Sequence, residues 1–582
     1  MILQSLAEFA RRERLAEDPC FQWAGVSWAI DVGANGEFRN LFDLRSETGE
    51  GKKKRRLQRR MLIPKRSKRT RQDLAEFLVD MPGYVLGLGE NNAARLEQRR
   101  QLFAEDVRAA AQGSGCVEAG SVAQFLDSAE ARSACVQQLK ERGYFSNDLI
   151  CFRRGSVYLQ DLEGMKEYWR RRSEAKEGGV AQCLVCGARA PMSVLHRDIK
   201  GIAGPSTKGV PIVSFNEPAF WSYGLEGNRN APVCEGCMVA YTTALDRCLT
   251  DQFTDPADRE SKLPKQSRWL SRNLTAVYWS DESDSGIERL VDAAITDPEV
   301  ARALLEVPWR GGSVTSRPLQ FHCLLLQGAK GRATVRSYVA DTIDSIRDNI
   351  RRWLEETNVG ISPALPLHQI LSGLAVKGDA DRLPPGLWGE MYLAVLFGRT
   401  IPQNALQLAL VRNRAEAKAH YVNCNRAALV QAWVNRNPAF QERKKLVSLD
   451  PEYPSAAYQL GRLLAICENV QYRQRGGNAN KTVVDRYFPA LSTRPRYVFA
   501  QLMRLTELHL GQLQRQDDAR YLRKKVEDVV GKLAPGDLPA HLSLEEQALF
   551  ALGFYHQRQT NFSRAAAPGS DASQRDSQTD SQ

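Results

Sequence analysis

The chain has 582 residues, 43% of them hydrophobic, with 80 Lys and Arg against 68 Asp and Glu. That length suits several domains, roughly four, and the apolar content fills real cores, which excludes a chain that is disordered throughout. No apolar run reaches the ~18 residues of a membrane span.

In chain order, residues 2–17 read as an amphipathic helix, with Ile2, Leu3, Leu6, Phe9 and Ala10 on one side. This charged, periodic start lacks the layout of a signal peptide, so a cytoplasmic protein is expected. Val26, Trp28, Ile30 and Val32 alternate with smaller or polar residues, Asn35-Gly36 turns the chain, and Phe38 to Leu44 return as a hairpin. Then comes the charge. Lys52 to Arg71 holds twelve Lys or Arg in twenty positions and no carboxylate; without them the remaining 68 cations face 68 anions, so the formal net charge of +12 is numerically this one segment. Within it MLIP (61–64) reads as a short strand or anchor. GYVLGLG (83–89) reads as another strand, residues 91–143 as helices, and YFSNDLICFRRGSVYLQD as a strand pair around Arg153–Gly155. NLTAVYWSD and QFHCLLLQGAKGRATVRSYVAD read as strands with a helix between them. Residues 341–357 form a good amphipathic helix, and beyond 363 the pattern is almost wholly helical. The tail has too few apolar residues to fold.

Four of the twelve cysteines fall in two close pairs, Cys183-x-x-Cys186 and Cys234-x-x-Cys237, separated by 47 residues. A C-x-x-C turn places two thiolates on one metal, and two turns complete a zinc tetrahedron. The intervening loop is longer than the compact ribbon spacing, as an inserted subdomain would explain. A closed four-thiolate site leaves no open position, so a structural zinc is expected, not a catalytic one. A redox pair and plain buried cysteines are the competing readings. His196, inside the loop, is left out of the ligand set as a structural residue.

The loop HRDIKGIAGPSTKGVPIVSFNEPAFWSYG (196–224) carries Gly201, Gly204 and Gly209 with Lys200 and Lys208. Its glycines could let backbone amides approach a phosphate, although no Walker A spacing is present. Phe215, Phe220, Trp221 and Tyr223 either stack bases or pack the subdomain. Ser214, Asn216 and Ser222 are either polar contacts or turn-formers. The basic run suits phosphate contacts, which give affinity without sequence choice; the plainer reading is a solubilising loop. No H-E-x-x-H, G-x-S-x-G or dinucleotide fingerprint occurs, which favours a binding protein over an enzyme.

Several stretches carry a resemblance. MILQSLAEFARR, LFDLRSETGEGKKKRR, LIPKRSKRT and GYVLG lie in the first part of the chain. HRDIKGIAG, VSFNEPAFWSYG and NAPVCEGCMVAYTTALD follow. AAYQLGRLLAICENVQ (456–471) and NKTVVDRYFPALSTRPRYVFAQLMRLTELHL (480–510) come late. Together, over residues 1–515, the chain resembles the large subunit of type I-C CRISPR interference complexes (Cascade). The resemblance implies a non-catalytic DNA-recognition subunit. It would work in a crRNA-bearing complex with several backbone subunits, a crRNA-end-binding subunit and small subunits. It would read the protospacer-adjacent motif in duplex DNA, stabilise the R-loop and its displaced strand, and dock a helicase–nuclease; base pairing supplies the long specificity. The chain departs from the family at Glu76-Phe77-Leu78-Val79-Asp80-Met81, where asparagines are usual before Y-V-L-G. Met81 cannot read an adenine edge as asparagine does, so no motif preference is carried over.

The resulting expectation is an α+β multidomain protein: a mixed α/β N-terminal body with a zinc-stapled insertion, then a C-terminal α-helical bundle. The expected segments are 1–178 with the basic segment 51–71, 179–250 with the cysteines, an α/β part at 251–360, the bundle at 361–562 and a disordered tail at 563–582. For DNA, Lys52, Lys53, Lys54, Arg55, Arg56, Arg59 and Arg60 are expected on the backbone. Lys65, Arg66, Lys68, Arg69 and Arg71 are expected near the adjacent motif. Lys200, Lys208 and Asn216 are candidates from the loop, and Arg412, Arg414, Arg462, Arg473, Arg475 and Lys481 for the displaced strand, a solvated helix face being the plainer reading of each. The competing functions are a metal-dependent nuclease of the same defence system and a zinc-containing DNA-binding regulator.

Overall fold

The computed structural model describes residues 1–15, 18, 20–48, 55–66, 74–89, 92–174, 179–204, 209–250, 253–254, 262–281, 286–307, 318–329, 331–360, 364–416, 422–440, 442–475, 482–533, 536 and 538–563. The chain forms two compact units. Met1–Ile199, Val210–Arg247 and Gln252–Leu263 make the first; Lys200–Gly209, Cys248–Asp251 and Pro264–Gln582 make the second. The cysteine block therefore belongs with the N-terminal body, and the strands after residue 264 share one apolar core with the C-terminal helices.

In the first unit, α1 (Ile2–Arg12) buries Leu6, Phe9 and Ala10 as its periodicity requires. It is shorter than the expected 2–17 because Glu13 and Arg14 turn away, Arg14 at a φ of +52°. β1 (Phe21–Val26), β2 (Trp28–Val32), β3 (Phe38–Asp43), β4 (Ser46–Thr48), β5 (Arg55–Leu57) and β6 (Arg59–Pro64) follow. β2 and β3 form the expected hairpin, with Gly36 at a φ of +80° in the turn. Next come α2 (Pro82–Val85), α3 (Ala93–Ser114), α4 (Val117–Asp127), α5 (Ala129–Arg142), β7 (Ile150–Arg154) and β8 (Val157–Tyr158). The four-stranded sheet runs β3-β2-β7-β8, with β2 parallel to β7. A parallel pair needs a long crossover, and the segment carrying α3–α5 provides it. β2 is apolar on both faces because it is central: Trp28, Ala29, Ile30 and Val32 are all buried.

One sequence expectation is corrected here. GYVLGLG forms no strand but the short helix α2. Pro82 presets the first helical position, the Met81 carbonyl accepts from the amides of Tyr84 and Val85 at 2.9 and 3.0 Å, and Gly87 leaves the turn at a φ of +66°.

α6 (Glu163–Glu174), the small hairpin β9 (Val180–Gln182) and β10 (Arg189–Pro191), α7 (Glu235–Leu249), and the pair β11 (Phe253–Thr254) and β12 (Lys262–Leu263) complete this part of the chain.

The second unit is built on a four-stranded antiparallel sheet of β13 (Ser267–Ser271), β14 (Leu274–Ser280), β15 (Gln320–Ala329) and β16 (Arg332–Thr342). The expected helical insertion is two helices, α8 (Ile287–Thr296) and α9 (Pro298–Glu306). Every residue of β14 is buried. After β16 the described residues contain helices and no strand, as expected: α10 (Ile343–Glu356), α11 (Leu367–Ser372), α12 (Pro385–Leu396), α13 (Gln403–Ala415), α14 (Cys424–Arg436), α15 (Ala456–Arg475), α16 (Val483–Leu491), α17 (Pro495–Gly511), α18 (Gln516–Val530) and α19 (Leu544–Ser563). No helix of the described residues is long and apolar enough to cross a membrane. The expected tail lies outside the described residues apart from Ser563.

α15 and α19 pack backbone to backbone. A Cβ at Gly461 would lie 2.0 Å from the Phe550 carbonyl oxygen, and one at Gly553 would lie 2.1 Å from that of Tyr458. Neither contact can yield by moving a side chain. Gly553→Ala gains about 1 kcal/mol of helix propensity but overpacks the crossing by ~1–3 kcal/mol or more. It is expected to lower the unfolding temperature of the second unit in a calorimetric scan, whereas Gly511→Ala, with open space around it, is expected to raise it or leave it unchanged.

Candidate metal centre and nucleic-acid interface

The four sequence-selected cysteines converge. The Sγ atoms of Cys183, Cys186, Cys234 and Cys237 all lie within 4.8 Å of one another, the one cluster among the described residues with metal-ligand geometry. Local structure explains the convergence. β9 and β10 hold the first knuckle, closed by the Cys183 amide donating to Ala188 O and the Gly187 amide donating to Cys183 O, both at 2.9 Å, with Gly187 at a φ of +75°. The second knuckle is the first turn of α7, and a bridge between Met192 and Cys234 ties the two together.

The thiols are not equivalent. Burial pushes the Cys183 thiol up, but backbone N–H donors from Cys234, Cys186 and Val185 outweigh it and bring the pKa down to about 7. Burial and the neighbouring Cys234 push Cys237 well up. Arg11 brings Nη2 to 3.5 Å from the Cys237 sulfur. Thiolate-directed amides and a nearby guanidinium are the surroundings a multi-thiolate metal complex needs. His196 is a structural residue, as read from sequence: its Nδ1 lies 2.6 Å from the Tyr241 hydroxyl, and burial pushes its pKa down to about 4.

The core of the basic run is pinned in place. β6 pairs antiparallel with β1 from Phe21↔Pro64 to Val26↔Arg59. Met61 and Ile63 are buried, while Arg59 and Arg60 are exposed. Arg59 reaches the Tyr158 hydroxyl at 3.3 Å. MLIP is thus the anchor strand that its composition suggested. Lys65 and Arg66, just past the strand, are already paired. Lys65 bonds to Glu235, which sits between the cysteines of the second knuckle. Arg66 lies 3.4 Å from Asp80. Sequence reasoning missed both acidic partners: Glu235 lies 170 residues from Lys65, and Asp80, 14 residues from Arg66, follows no helix or strand spacing that would announce the pair. Lys52, Lys53, Lys54, Lys68, Arg69 and Arg71 lie outside the described residues; Arg55 and Arg56 belong to β5, which pairs with β4.

In the 196–224 loop, Lys200 and Asn216 are exposed and Lys208 is outside the described residues. Gly204, at a φ of +149°, packs against the backbone of Gly328, and the Ala203 amide donates to Thr275 Oγ1 at 2.8 Å. This glycine therefore serves chain packing and not phosphate approach. Tyr223 is 99% exposed and at a φ of +53°, and Trp221 is 39% exposed; neither fills a core.

Among the displaced-strand candidates, Arg473 and Arg475 are exposed, Arg473 pairing with Asp518 at 3.1 Å. Arg412 pairs with Glu416 and Arg414 bonds to Gln547 at 2.6 Å. Arg462 is corrected: it is buried, with bonds to Gln557 at 3.2 Å, Pro451 O at 2.9 Å and Gln459 at 2.6 Å. Its guanidinium holds the bundle together and is not offered to a strand. Lys481 lies outside the described residues.

The sequence profile of the family described as CRISPR-associated protein (Cas_Csd1) matches residues 3–562. The chain belongs to that family. No curated protein matches it. A match over nearly the whole length agrees with the resemblance to the type I-C Cascade large subunit. Cas_Csd1 proteins are structural subunits of Cascade, so this chain is a component of a multi-subunit CRISPR complex.

Asp80 organises the turn from Glu76 to Met81. It is fully buried, its Oδ2 accepts from the Glu76 amide at 2.8 Å and its Oδ1 from the Met81 amide at 2.7 Å. Asp80→Asn keeps the shape but replaces one acceptor with a donor, leaving an amide facing an N–H. It is expected to cost about 1–3 kcal/mol in denaturant unfolding.

Proposed function

We propose that this Cas_Csd1 protein recognises target DNA for its complex by gripping duplex phosphates beside the protospacer-adjacent motif with the segment 52–71. The reading is carried by one observation: the middle of the most cationic stretch is a buried strand, β6, whose Arg59 and Arg60 face solvent. A cationic ribbon fixed at its centre holds charge in place before DNA arrives, which limits the ordering cost of binding. Lys52 to Arg60 take backbone phosphates. Lys68, Arg69 and Arg71 take the duplex near the motif. Lys65 and Arg66, being paired with carboxylates, act mainly by fixing the strand's exit, and Arg66 through Asp80 connects it to the Glu76–Met81 turn. Tyr223 and Trp221 offer faces on which unpaired bases can stack. Lys200, Asn216, Arg412, Arg414, Arg473, Arg475 and Lys481 are the proposed contacts to opened strands, supporting R-loop stabilisation, and the complex docks its helicase–nuclease on this subunit.

The cysteine cluster is proposed to hold a structural zinc. Four thiolates around Zn²⁺ carry a formal charge of about −2, and Arg11 offsets part of it. With all four positions filled by the chain, the metal supplies cross-linking and no reactive site.

The test is motif-bearing duplex binding by the assembled, crRNA-loaded complex over a range of salt. If about half of the twelve cations touch phosphate, log K falls with log salt at a slope of roughly −5. Changing Arg59, Arg60, Lys68 and Arg69 to Ala is expected to weaken binding and flatten the slope by about 3–4, while Lys65→Ala changes it by less than one. An unchanged slope in the fourfold variant removes the reading.

A further inference from the structure

A cavity of about 450 Å³ opens in the second unit where α14 ends, beside α10. Its charged lining is one-sided: Arg352, Arg436, Arg443, Lys444 and Lys445 against Glu356 alone. Phe440 and Tyr453 add aromatic walls. The C-terminal end of α14 contributes about half a negative charge, but the Asn437 amide already caps its last carbonyls, from Trp433 and Val434, at 3.0 and 3.3 Å. The cations therefore dominate the field inside.

Arg436 is the decisive group. Its side chain is only 6% exposed and pairs with Glu356, itself 4% exposed. Nη1 donates to the carbonyl oxygens of Ala394 at 2.7 Å and Arg399 at 3.0 Å, and the guanidinium lies over Trp353 at 5.4 Å. Nη2 is buried and, among the described residues, has no acceptor. Native interiors rarely leave such a donor unsatisfied; this one lies closed off behind the cavity wall, so Arg436 adds a rigidly held guanidinium with one unspent N–H beneath the exposed cations. The rim is held as well. Asn435 exchanges two hydrogen bonds with Leu446, both 2.9 Å, which fixes the exposed 443–445 cations at the mouth. Arg443 rests over the Phe440 ring at 5.4 Å, and Lys444 is tethered only by an exposed pair with Asp450 at 3.5 Å. An exposed pair of that kind is weak and yields to a better anion.

The geometry points to a phosphate-binding site, with Arg443, Lys444 and Lys445 as the exposed clamp and Arg436 fixed beneath them in the cavity wall. The phosphate is either one of a single-stranded nucleic acid backbone or a free phosphoryl compound; both present the same oxygens. The inference does not rest on the duplex grip, which uses a different segment in the other unit.

The experiment uses the full-length chain with two probes, inorganic pyrophosphate followed by calorimetry and a fluorescent oligothymidylate followed by anisotropy. The variant is Arg443→Ala/Lys444→Ala/Lys445→Ala, confined to exposed side chains, with its unfolding curve checked against wild type. Arg59→Ala/Arg60→Ala serves as the comparison. Wild type is expected to bind both probes, pyrophosphate to displace the oligonucleotide, and the triple variant to lose roughly tenfold in affinity for both, equivalent to about 1.4 kcal/mol. If the triple variant loses pyrophosphate alone, the site stands and its ligand is a free phosphoryl compound. If pyrophosphate binds neither protein, or binds both equally, the inference is overturned, whatever the duplex assay shows.

Discussion

The first unit turns on the convergence of four thiols that the chain brings together from two distant turns. Cys186 and Cys234 stand 48 residues apart in sequence and 3.8 Å apart at their sulfurs. A cross-link closing a loop of that size removes chain entropy from the unfolded state worth on the order of 4 kcal/mol. The segment it closes is rich in Gly, Pro and exposed aromatics and has little apolar bulk of its own. Between the knuckles, Trp221 and Tyr223 stand in solvent and not in a core.

The same cluster reaches the basic strand. Glu235 lies between two of the cysteines and bonds to Lys65 at the exit of β6. The Lys65 amide donates to Cys20 O at 2.8 Å, and the Trp169 indole N–H donates to that same oxygen at 2.6 Å. Arg11 of α1 approaches Cys237. The strand, the knuckle and two helices thus share one polar junction. In the proposed account this junction holds the cationic ribbon in register, so that phosphate affinity comes from charge already arranged and not from charge that must be gathered.

Much of this was legible because the signals were local. Alternation gave β2 and β3, the i, i+3, i+4 spacing gave α1 and α10, and the buried Met61 and Ile63 made MLIP a strand inside a run that composition alone would call a loop. The C-x-x-C spacing found the four thiols. What was hidden was long-range or context-dependent. GYVLG has strand-forming side chains, yet Pro82 and the acceptor carbonyl of Met81 close a helical turn. Arg462 looks like any helix-surface arginine until the bundle closes around it. The basic triplet at 443–445 carried a readable charge signal, but the cavity it rims, with Arg352 and Arg436 in its wall, is visible only when the packing is known.

The measurement that bears most directly on the account is hydrogen exchange on the purified protein before and after removal of its metal by a zinc chelator, with metal content followed in parallel. The account predicts about one zinc per chain at the start. After removal, protection should be lost at residues 183–192 and the first turn of α7, and also along the β1–β6 pair from Phe21 to Pro64. A metal-free preparation with full protection at those sites would contradict it, and so would a loss confined to the knuckles that leaves β6 as protected as before.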